Sequence, residues 1–302
     1  MDDAATTGTI DSVDVLVDAL DSWTARLFPD PPRGELMVAA LRAEFGGDGR
    51  LLSGPAVASV EALARRFCRH LDLFFEPGGG LTPDVDPPGW PTVDPAEVRA
   101  AGGFVSQVRR EPTGHGTLVL DQLAGVAAAA PFLRAAFAVL DGASGLVLDL
   151  RDNGGGDPAT VGMVLDWLLG PEHVHFADVE YRDRVRQWWT PGSGVTTVPA
   201  DVPVTVLVGR GTFSSAEGLA YFLQSTGRAT VVGSVTRGAA DHITPVVVLP
   251  SVRAHLAEAV YRDPRTGTNW EGTGVVPDVR CDDAEAPAVA HRVLRAARTP
   301  TG

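Results

Sequence analysis

Two neighbouring hydroxyls, Ser214 and Ser215, stand in "RGTFSSAEGLAYFLQ" between the apolar run "PVTVLVG" and a segment with helical periodicity. A serine at a strand-to-helix turn is presented to solvent, and the amide of the next residue points toward the same space. That is the arrangement of a nucleophile elbow. The same residues also suit a helix start, with Ser214 or Ser215 as N-cap and Glu217 completing a capping box from Ser214. Both readings hold at once. A second stretch, "LVLDLRDNGGGDP", sets Asn153 to Gly156 after a buried strand and before a helix. Consecutive glycines let backbone amides approach a ligand closely and stabilise an anion. They also make a tight turn, with Asp157 capping the helix that opens at Pro158. A third, "TGTNWEGTGVVPDV" (266–279), is too rich in turn formers for a strand interior, yet it holds Trp270 and Glu271 side by side. A loop carboxylate there orients a base or stabilises its protonated form, or is simply solvated.

The elements that would position these groups follow from the periodicities. Residues 10–28, 34–45 and 55–71 carry apolar positions at helical spacing, and Pro29, Pro31 and Pro32 are expected to stop the first helix. Residues 1–76 therefore read as an N-terminal helical bundle. Proline and glycine crowd 77–95, a connecting loop. From 96 to 302 strands and helices alternate: "GTLVLDQL", "GLVLDLR", "PVTVLVG", "ATVVGS" and "HITPVVVLP" read as strands, with "VAAAAPFLRAAFAVL", "PATVGMVLDWLLG" and "SAEGLAYFLQSTG" as helices. The fold class is α/β, a largely parallel sheet core with flanking helices plus the N-terminal bundle. In open sheets of this kind the working groups collect at the carboxyl ends of the strands, where the serine and glycine turns fall.

A formal charge of −13 over 302 residues argues against nucleic-acid partners and anionic membrane surfaces. No apolar run approaches the roughly 18 residues needed to span a bilayer. The acidic start "MDDAATTGTIDSVDV" lacks the basic and apolar regions of a signal peptide. Cys68 and Cys281 are far apart and in no metal-ligand spacing, so free thiols, a cytoplasmic location, no metal and no cofactor are expected. All 25 basic residues are arginine. Chemistry that needs a deprotonatable lysine amine is excluded, because guanidinium stays protonated at any ordinary pH.

Taken in order, "LVLDLRDNGGG", "VTVLVGRGTFSSAEGLAYFLQSTGRATVVGSVTRGAADH" and "GTNWEGTGVVPDV" resemble the tail-specific (C-terminal-processing) serine peptidases. The resemblance is to the branch containing the tricorn core and the interphotoreceptor retinoid-binding protein repeats. It covers about residues 95–281, without a PDZ domain, since 77–112 is too short to hold one. It implies a crotonase-like ββα arrangement, Ser214 as nucleophile, and an oxyanion hole from the Ser215 amide and the Gly154–Gly156 turn, with Gly154 and Gly155 as candidates. Processing peptidases of bacteria use a lysine 25 positions after the serine; here that position is Ala239. The tricorn-like arrangement instead implies His70, in "FCRHLDLFFEP", as base and Glu271 as its supporting carboxylate. His70 is otherwise a histidine at a helix end, and His242 in "RGAADHITP" is the rival base. Arg237, His242 and Trp270 are candidates for substrate contact, and Arg237 is equally a loop support. The implied partner is a peptide or small-molecule substrate, with homo-oligomerisation left open. The scaffold also accommodates two other functions: a non-proteolytic binder of an apolar small molecule, or a repurposed biosynthetic enzyme such as a cyclase.

Overall fold

The computed structural model describes residues 11–90, 93–192 and 198–297. Its elements in chain order begin with α1 (Val13–Leu27), α2 (Pro31–Phe45), α3 (Gly54–Ala64), β1 (Asp72–Phe75), α4 (Pro95–Ala100), β2 (Val105–Arg110), β3 (Gly116–Leu120), α5 (Val126–Leu140), β4 (Leu146–Asp149) and α6 (Pro158–Leu169). They continue with β5 (His175–Tyr181), β6 (Val185–Trp189), β7 (Val204–Val208), α7 (Ser215–Ser225), β8 (Thr230–Gly233), β9 (His242–Leu249), β10 (Val252–Arg262), β11 (Val279–Arg280) and α8 (Ala286–Ala297). Proline has two roles in this order. α1 does end before Pro29, but Pro31 and Pro32 open α2, where a missing amide costs nothing and the Asp30 side chain caps Arg33 N–H at 3.2 Å. α3 stops at Ala64, so His70 sits in the turns beyond it, six residues past the helix end and outside the reach of its dipole.

Two units divide the described residues. The first groups residues up to 90 with 180–185 and 241–260. Its helices bury Leu16, Leu20, Met37, Leu41 and Val60 against Val246, Val248, Val252 and Ala254 of the β9–β10 hairpin. β1 joins the hairpin antiparallel to β10, with Asp72 opposite His255. The hairpin thus returns to the helices from far along the chain and, with Leu73 of β1, gives their apolar stripes a sheet face to pack on. The first unit thus draws in two segments, 180–185 and 241–260, from beyond the 77–95 connector.

The second unit is a six-stranded sheet in the order β11-β8-β7-β4-β3-β2, parallel except for β2 at one edge. β4 and β7 are buried along their whole length, as strands covered on both faces must be. α8 covers Val147, Leu207 and Val232 of this sheet with Ala286, Val289, Ala290 and Leu294. α5, α6 and α7 pack successively against one another. Both the glycine turn and the serine turn leave the carboxyl ends of central strands. Among the described residues no helix is long and apolar enough to cross a membrane.

Candidate active site at the carboxyl ends of β4 and β7

Between β7 and α7 the chain turns through Thr212, Phe213 and Ser214. Thr212 is buried; its hydroxyl donates to Leu150 O at 2.7 Å and accepts Gly209 N–H at 2.9 Å, tying the turn to the end of β4. Ser214 follows with φ 53° and ψ −124°. Only Ser214 and Phe104 combine a side chain with positive φ among the described residues. Such a conformation costs about 1–3 kcal/mol and persists only where its surroundings enforce it. Here the enforcing group is Glu217, which is wholly buried. Its Oε2 accepts the N–H of Ser214 at 2.8 Å and of Ala239 at 3.1 Å. Oε1 accepts the Thr236 hydroxyl at 2.5 Å and the Gly238 N–H at 2.7 Å. Desolvation pushes the Glu217 carboxyl above its ordinary value, against the lowering effect of those four donors. The capping box therefore exists, and its glutamate also secures the 236–239 loop.

The glycine turn is built onto the serine turn. Asn153, fully buried, donates from Nδ2 to Leu120 O and accepts the Gly155 N–H at 2.9 Å. Phe213 N–H donates to Asn153 O at 3.0 Å, and the Ser215 hydroxyl donates to Gly156 O at 2.8 Å. Gly155 has φ +98°, and a Cβ there would lie 2.8 Å from Phe213 O and 2.9 Å from Ser214 Cβ. Only glycine allows this approach. Asp157 caps α6 through Ala159 N–H and also accepts the Val126 N–H that opens α5, both at 2.9 Å. These bonds sort the candidate oxyanion donors. The Gly155 N–H is engaged by Asn153. The Ser215 N–H, at the first position of α7, and the Gly154 N–H have no internal partner among the described residues.

In the loop between β10 and β11, Asn269 holds the turn, accepting Glu271 N–H at 3.0 Å and donating to Tyr261 O at 2.8 Å. Glu271 Oε2 accepts the Ala240 N–H at 2.7 Å. Trp270 is 2% exposed, packed against Tyr221 and Tyr261 and beneath α7, where a Cβ on Gly218 would come within 3.0 Å of its ring. Its ring belongs to the core and supports α7 from below; it is not placed to line a substrate surface. Arg237 is exposed, its guanidinium 3.8 Å from the centre of the Phe213 ring.

His70 and His242 belong to the helical unit. His70 is 6% exposed, with Nδ1 2.7 Å from the carbonyl of Asp241. A carbonyl only accepts, so Nδ1 carries the proton of the neutral ring and Nε2 carries the lone pair. Nearby Asp72 is raised by desolvation, but the His255 bond and the charges of Arg65 and His70 outweigh this and hold it below its ordinary value. His242 opens β9, 3.6 Å from Glu258 and edge-on to Tyr181. The structure thus brings Ser214, Ser215 and the glycine turn into direct contact, with Glu271 held in the same unit. The histidines lie in the other.

The sequence profile of peptidase family S41 matches residues 116–281, the stretch from β3 to just past β11. The chain belongs to peptidase family S41. A chloroplastic C-terminal processing peptidase of Tetradesmus obliquus is 32% identical over 155 residues, covering 51% of this chain and 32% of the relative. The carboxyl-terminal-processing protease of a Synechocystis strain is 39% identical over 98 residues, covering 32% of this chain and 22% of the relative. The match therefore spans about a third or less of the length of these relatives. Among solved structures, the photosystem II D1 C-terminal processing protease superposes with TM-score 0.56 at 18% identity, over 96% of this chain and 98% of that one. A peptidase from Parabacteroides merdae superposes with TM-score 0.65 at 15% identity, over 94% and 97%. These likenesses establish the fold of an S41 peptidase.

Proposed function

We propose that the chain is a serine hydrolase of peptides, with Ser214 as nucleophile, His70 as general base and Glu271 as supporting carboxylate. The observation that carries this reading is the strained backbone of Ser214, held by buried Glu217 at the carboxyl end of a central strand. A plain helix cap needs no positive φ. In the reaction, Ser214 Oγ attacks the scissile carbonyl carbon while His70 Nε2 takes its proton. The oxyanion forms against the N–H groups of Ser215 and Gly154, each worth about 3 kcal/mol. Collapse breaks the C–N bond, and the proton on His70 passes to the leaving amine. Water, deprotonated by the same nitrogen, then releases the acyl group and restores Ser214.

The names of the relatives favour, as substrate class, a polypeptide processed at its carboxyl terminus. Arg237 is exposed next to the serine turn and is the group in that loop suited to a substrate carboxylate. The test is labelling with a fluorophosphonate probe. Stoichiometric modification that is lost in Ser214→Ala and slowed sharply in His70→Ala is the expected outcome. A folded protein that resists the probe overturns the nucleophile assignment, and undiminished labelling of His70→Ala removes the base.

A further inference from the structure

The acceptor that fixes the His70 ring is a backbone carbonyl just outside the sheet. Asp241 precedes β9, and the ladder between β9 and β10 closes at the His242–Ala259 pair, beyond an irregularity between Ala257 and Ala259. The side chain of Asp241 is held as well. The Asp241 carboxylate is wholly buried, and its Oδ2 receives Arg33 of α2 at 2.5 Å and the Cys68 thiol at 3.8 Å. Arg33 is itself braced, with Asp30 at 3.8 Å on one side and the Phe28 ring 5.1 Å from its carbon centre. Cys68 lies two residues before His70, so a single carboxylate grips the segment that carries the imidazole, while its own carbonyl takes the ring proton at 2.7 Å.

We infer that Arg33 and Asp241 are positioning residues for His70: the half-buried ion pair between them helps to hold the Asp241 carbonyl in place, and that carbonyl selects the imidazole tautomer with Nδ1 protonated and Nε2 basic. The catalytic consequence rests on His70 being the base. An ion pair with a desolvated carboxylate is weak evidence for stability, since well-packed apolar replacements are often neutral or better. Its use here is geometric. The carbonyl orients the ring without itself adding a charge.

The tautomer is read without reference to activity, from the two ring nitrogen resonances of His70 in 15N-labelled protein by long-range 1H–15N correlation at a pH where the ring is neutral. The wild type is expected to show protonated Nδ1 and unprotonated Nε2. In Asp241→Asn and Arg33→Met the two forms are expected to mix, and the rate of fluorophosphonate labelling to fall about tenfold or more. The apolar double variant Arg33→Met/Asp241→Leu guards against simple unfolding, and it should fold yet show the same mixed tautomers. A wild-type ring protonated at Nε2, or a folded Arg33→Met whose tautomer matches the wild type, overturns the positioning role. An altered tautomer with an unaltered labelling rate leaves the geometric role standing and overturns its link to catalysis, the base assignment with it.

Discussion

The serine turn and the histidine turn are stabilised by different means. At Ser214 an unfavourable backbone is held by a buried carboxylate that receives three amides and a hydroxyl, all from residues within 25 positions of one another. At His70 the backbone is ordinary, and the ring is aimed by a carbonyl 171 positions away whose own anchor is an ion pair 208 positions apart. One site is written locally and enforced by hydrogen bonds; the other is assembled from distant segments and enforced by charge. The first is sensitive to shape, the second to long-range packing.

The sharpest way to break the first half of that contrast is Gly155→Ala. A Cβ at φ +98°, 2.8 Å from Phe213 O and 2.9 Å from Ser214 Cβ, forces the two turns apart. Displacing a reacting atom by about 1 Å costs on the order of 100-fold, so probe labelling is expected to drop at least that far. Chemical denaturation should show the protein still folded. Labelling close to the wild-type rate would mean that the turns need not touch.

Glu217→Gln and Asp72→Asn sharpen the contrast through pH. The Glu217 carboxyl is raised in the folded state, so its contribution to stability is full below the ordinary carboxylate value and is lost as pH rises through the raised one. The stability of wild type relative to Glu217→Gln should therefore decline with rising pH above about 4.5 and then level off. Asp72 is lowered, so its contribution is present above the ordinary value and is lost as pH falls through the lowered one. Wild type should gain on Asp72→Asn with rising pH. Urea titrations between pH 3 and pH 8 read both slopes, and two slopes of the same sign would break the comparison. The smallest effect is expected at Arg237→Ala, which leaves an exposed site. Stability should change by less than about 0.5 kcal/mol. Steady-state kinetics should show KM rising for peptides with a free terminal carboxylate and not for amidated ones.

What was legible in the sequence follows the same division. The strand–turn–helix order around Ser214, the Asp157 cap and the Glu217 bond were readable because each depends on residues a few positions apart. The Gly154–Gly156 turn was readable as a close approach, but which amide stays available depends on Asn153, whose side chain takes up Gly155. β10 was missed, because "VRAHLAEAVYR" mixes alanine, leucine and glutamate in a way that suits a helix as well as a strand. Pairing with β1 and β9 settles the matter. Arg33 and Asp241 carried no signal, since nothing local marks a buried pair whose partners lie in α2 and ahead of β9.

Ala239 stands 25 positions after Ser214, where the resemblance to the bacterial processing peptidases would put a lysine. It is 1% exposed, and its N–H is spent on Glu217. A longer side chain there would start from a buried backbone already tied to a buried carboxylate. A proton acceptor brought to 239 would thus sit on the same loop that Glu217 ties to the serine turn, so the backbone of the nucleophile and that acceptor would share one anchor.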